Sequence, residues 1–152
     1  MPINAGPRWR SAETPEWRDF SGTPVRLTLS PDAGDLPPLH GRLVRALPGY
    51  FGVLRHLLEL NEPLPSGFDP FGELPWLARA RRRIEHLLVT PASHLPTLDT
   101  PSNFIGLAMA RAEVVHVFVS IGPHPSRLPA GAAPRLPEFR YPFLAMGDLS
   151  RA

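Results

Sequence analysis

The side chains that could do chemistry are six histidines, fourteen carboxylates, sixteen basic residues that are all arginine, and a handful of serines. His40, His56, His86, His94, His116 and His124 show neither the i, i+4 spacing nor the His-Glu-x-x-His pattern that puts two imidazoles on one metal. No serine stands in a Gly-x-Ser-x-Gly turn, and the Gly67–Gly72 cluster lacks the spacing and flanking strand of a phosphate-binding loop. Cysteine is absent, which removes thiolate nucleophiles, disulfides and Cys-ligated metal. The pattern points away from an enzyme and implies no cofactor and no metal centre.

Two groups stand out for binding. Arg79, Arg81, Arg82 and Arg83 form a dense guanidinium cluster able to grip phosphate or carboxylate oxygens in bidentate fashion. A net charge of only +2 works against nucleic acid, which is attracted over distance by a strong positive field. The second group is Phe139, Tyr141 and Phe143. At spacing two these rings share one side of an extended chain and call for a surface to dock on.

The elements that must position these groups follow from periodicity. Val25–Ser30 alternates apolar and polar residues and predicts a half-buried strand, followed by the turn residues Pro31-Asp32-Ala33-Gly34. Arg42–Leu47 predicts a second strand, stopped by Pro48-Gly49. On a helical wheel Tyr50–Leu60 gathers its apolar residues on one half and leaves Arg55, His56 and Glu59 on the other, which predicts a helix with solvated histidine. Trp76–Leu88 divides more cleanly. Ile84, Leu87 and Leu88 share the face of Trp76, while the arginines and His86 lie opposite, so a helix over about residues 75–89 is expected.

Phe104–Ala112 fits either a helix after Thr100-Pro101 or an alternating strand. Val114–Ile121 is β-branched and reads as a central strand, with His116 a satisfied core histidine. Six of the 21 prolines fall in residues 122–152 and predict an extended arm lying away from the sheet.

Together these predict an α+β fold: a small, mostly antiparallel sheet with two amphipathic helices and extended proline-rich arms. The alternative is a small β-barrel, in which Tyr50–Leu60 and Arg83–Thr90 are strands. The expected organisation is an arm with a helical turn over residues 1–24, a compact domain over 25–121 and a C-terminal arm over 122–152. No apolar run is long enough to span a bilayer or to serve as a secretory signal, so the expected compartment is the cytoplasm. The absence of lysine and glutamine alongside abundant Arg, Pro, Ala and Gly matches a GC-rich genome. The expected function is that of a non-catalytic accessory or structural subunit of a larger protein assembly, docking through its arms by Phe139, Tyr141 and Phe143. The alternative is a nucleic-acid or phosphate-binding module using the Arg79–Arg83 helix face.

Overall fold

Alternating apolar residues in Pro24–Leu29 (β1) and Val115–Ile121 (β5) build the two strands whose inner and outer faces differ most. Around them run Leu39–Pro48 (β2), Leu54–Leu64 (β3), Ile84–Pro91 (β4) and Phe143–Arg151 (β6). All neighbours pair antiparallel in chain order, and β6 returns to β1, so the sheet closes into a six-stranded barrel. This computed structural model describes residues 20–48, 53–64, 68–69, 83–92, 103–128 and 142–152.

The registers place side chains in rings. Ala46, His56, Val89, Val119 and Ala145 are paired in one row across five strands. Val89, Val119 and Ala145 of this row form one buried cluster with Val25, Leu27, Leu43, Leu58, Leu87, Val117 and Leu149. Side chains therefore fill the interior, as expected for a barrel of so few strands. The ends are stoppered as well. Between β4 and β5 the helix α1 (Phe104–Arg111) sends Ile105, Ala108 and Met109 into the core. Asn103 Oδ1 accepts the Gly106 N–H at 2.9 Å and caps this helix. A Cβ on Gly106 would run into the Asn103 side chain, so glycine is what lets the cap close. Beyond β1, the turn at Pro31–Ala33 buries Ala33, and Leu36 and Phe68 pack on the core.

The barrel corrects the α+β expectation and matches its alternative. Leu54–Leu60 is strand, not helix, because β3 is covered on both faces and its leucines need not alternate. Ile84–Leu88 is likewise strand; the rest of the Trp76–Leu88 helix lies outside the described residues. Ile84 and Leu87 are buried as expected, but inside a sheet. The ambiguous Phe104–Ala112 segment is a helix, ended by Ala112 in a left-handed conformation (φ 54°, ψ 40°). The boundary expected after residue 121 also shifts. Every proline of the tail precedes Phe143, so nothing prevents Phe143–Arg151 from pairing with β1 and β5 as a full member of the wall. Within the expected N-terminal arm, residues 1–19 lie outside the described residues.

The polarity of the wall is the reverse of a lipid-embedded barrel: apolar within, with Arg26, Arg42, His116 and Asp148 exposed outside. Among the described residues no helix is long and apolar enough to cross a membrane.

Candidate docking surface

Outward-facing positions on β5 are His116, Phe118 and Ser120, interleaved with buried Val115, Val117 and Val119. Sheet register sets Phe118 opposite Met146 and Ser120 opposite Phe143 on β6. A register shift between Val119 and Ser120 brings the two rings into neighbouring rows. Phe118 and Phe143 then meet edge to face, with centroids 6.3 Å apart and an interplanar angle of 66°. Phe118 remains 40% exposed and Phe143 42%, two of the three large apolar side chains left open among the described residues. Two neighbouring strands thus hold an aromatic pair on the outside of the wall.

Further along the same two strands, His116 Nδ1 lies 2.8 Å from Asp148 Oδ1. His116 is thus not the core histidine expected; its odd parity with the valines turns it outward. The exposed His–Asp pair is of the kind that contributes little to stability.

A second polar row crosses β2, β3 and β4. Arg42 holds Glu59 Oε1 through Nε at 3.1 Å and Nη2 at 2.9 Å, and Glu59 Oε2 faces His86 Nε2 at 3.4 Å. His86 is only 7% exposed and His56 is fully buried, whereas a helical reading put both in solvent. The His86 ring lies edge to face against His124 at 5.3 Å. Among the described residues no three His, Asp or Glu side chains gather as ligands for a metal ion.

At the barrel end where β2 begins and β3 finishes, a cleft of about 440 Å³ opens between Pro37, Pro38, His40 and Asn61, Glu62, Pro63. Its walls are dominated by proline and leucine, with His40 and Glu62 the titratable groups.

Of the residues singled out from sequence, Phe143 is placed in this surface, at the start of β6. Phe139 and Tyr141 lie outside the described residues, as do Arg79, Arg81 and Arg82. Arg83 is exposed and stands immediately before β4. Phe118 escaped sequence reasoning because Val114–Ile121 was expected to be central and covered on both sides. The signal was present: Phe118 occupies the same parity as His116 and Ser120. No protein-family model matches the chain, and neither does any curated protein or any solved structure.

Proposed function

We propose that this protein is a non-catalytic accessory subunit that docks onto a protein partner through the outer wall of β5 and β6. The observation that carries this is the exposed edge-to-face pair Phe118–Phe143. Aromatic rings on a rigid sheet lose little side-chain entropy on binding, and a few of them dominate the energetics of an interface. Among the described residues, side chains fill the interior of the barrel, which leaves its outer wall as the face open to a partner. The partner face would be apolar, with a cationic or hydrogen-bonding group able to meet Asp148 at the rim.

The test is tagged purification of the full chain from its native source, with and without the double substitution Phe118→Ser and Phe143→Ser. The wild-type chain is expected to bring down a stoichiometric protein partner. The double variant should keep its melting temperature and lose that partner. Retention of the partner by the variant would place the interface elsewhere, for instance on the arginine cluster at 79–83.

A further inference from the structure

We propose that the partner seated on the β5–β6 face is a second copy of this chain, related to the first by a twofold axis that runs along the strands between β5 and β6. The inference rests on the docking function above and names its partner. All three large apolar side chains left open among the described residues belong to this face. Phe118 and Phe143 form the aromatic pair. Val114, 66% exposed, stands immediately before β5 and has the parity of His116, Phe118 and Ser120. Open apolar groups gathered on one face mark a surface made for contact.

Sheets that pack face to face lie about 10 Å apart, with strands aligned within about 30°. A twofold axis along the β5–β6 seam then sets each outward residue of β5 over its own register neighbour on β6, but in the other copy. Such a face is self-complementary when register neighbours complement each other. Here they do in three consecutive outward rows. Phe118 is paired with Met146, so a ring meets a thioether across the axis. Ser120 is paired with Phe143, which brings the aromatic pairs of the two copies together around the axis. His116 is paired with Asp148, a base with an acid. Within one chain that pair engages Nδ1 and Oδ1 at 2.8 Å, and among the described residues Nε2 and Oδ2 have no partner. Each copy therefore offers both atoms to the other.

A partner of unrelated sequence would have to supply these complements in the same order; a second copy carries them already. The apolar rows provide the attraction, and the His116–Asp148 row fixes which way round the copies sit. The wall of a barrel curves away on either side, so contact is confined to β5 and β6. Interfaces of standard size use about 20–30 residues a side, and this one uses about a third of that. The dimer is therefore weak and reversible, half formed at about 10–100 μM.

Sedimentation of the full chain from about 1 to about 300 μM tests this with no other protein present. The wild-type chain is expected to pass from the mass of one 16.8 kDa chain to twice that mass. Phe118→Ser should weaken the association about tenfold or more. The decisive arms are two charge variants. Asp148→Arg sets the introduced arginine against the other copy's His116, and His116→Glu sets the introduced carboxylate against the other copy's Asp148. Each alone should associate about tenfold more weakly, and an equimolar mixture of the two should recover the lost association, because both cross pairs are then of opposite charge. All three positions are exposed, so each variant should keep its melting temperature. A wild-type chain that stays single at about 300 μM overturns the proposal. So does a dimer indifferent to all three substitutions, or a mixture no better than its components. The docking function keeps its own test: a partner of different sequence, lost on the double serine substitution, would uphold docking and exclude the second copy.

Discussion

Strands β1 and β5 keep one face in water, while β3 and β4 are covered over most of their length on both. In β1 the pattern is strict, exposed and buried residues taking turns from Pro24 to Leu29. In β3 every residue from Leu54 to Leu58 is buried, and in β4 every residue from His86 to Val89. Inward residues Leu58, Leu87 and Val89 feed the barrel core, and outward Leu57 and Leu88 feed the cluster beneath Leu128. The lesson is that a closed sheet does not have to be uniform. One side of this barrel is an ordinary two-layer structure of wall and solvent. The other side is covered on its outer face too, where Leu128 packs on Leu57 and Leu88.

The comparison is most easily broken at Leu87 and Leu88, adjacent in sequence and opposite in direction. Both are buried, so Leu87→Ala and Leu88→Ala should each cost about 2–5 kcal/mol by chemical denaturation. A small effect at Leu88 would mean that the outer cover of β4 is loose. On the one-faced side, Val117→Ala should cost about 1–3 kcal/mol, and its neighbour Phe118→Ala should stay within about 1 kcal/mol. A next, smaller effect is expected where α1 begins: Asn103→Ala removes the acceptor for the Gly106 N–H and should lower stability by about 1 kcal/mol. At the bottom of the range, Asp148→Ala breaks an exposed pair and should shift stability by no more than about 0.5 kcal/mol. A double-mutant cycle with His116→Ala giving several times that coupling would show the pair to be structural.

The same contrast decides how much of the fold the sequence discloses. Val25–Ser30 is legible because a wet face forces polar residues into every second place, and Val114–Ile121 is legible as a strand from its β-branched residues, though not as one with a wet face. Leu54–Leu60 and Ile84–Leu88 are not. With both faces covered, the runs Leu57-Leu58 and Leu87-Leu88 fall three and four residues from other apolar positions, and a wheel sorts them onto one half by arithmetic alone. The arginines and histidines placed on the opposite half made the helices convincing; yet Arg55, His56 and His86 are buried in the sheet. The small-barrel alternative named the two segments that would have to be strands. In the candidate site, the spacing singled out Phe143 but set it on an arm away from the sheet, whereas it opens β6, and Phe118 was passed over inside a strand thought to be covered. The contact between them depends on the register shift near Ser120, which no local pattern announces.

The closure of β6 onto β1 has a kinetic consequence. Val25 pairs with Arg151, so the last seam of the wall joins the two far ends of the described chain. The five seams between consecutive strands can zip by successive neighbours, but this one must wait for the longest loop to close. Until it does, the exposed edges of β1 and β6 offer unpaired N–H and C=O groups to any other strand, including those of another copy still being made. The interval before that seam forms is when the chain is most exposed to misassembly, and a slower final step would appear as aggregation that rises with protein concentration rather than as a lower melting temperature.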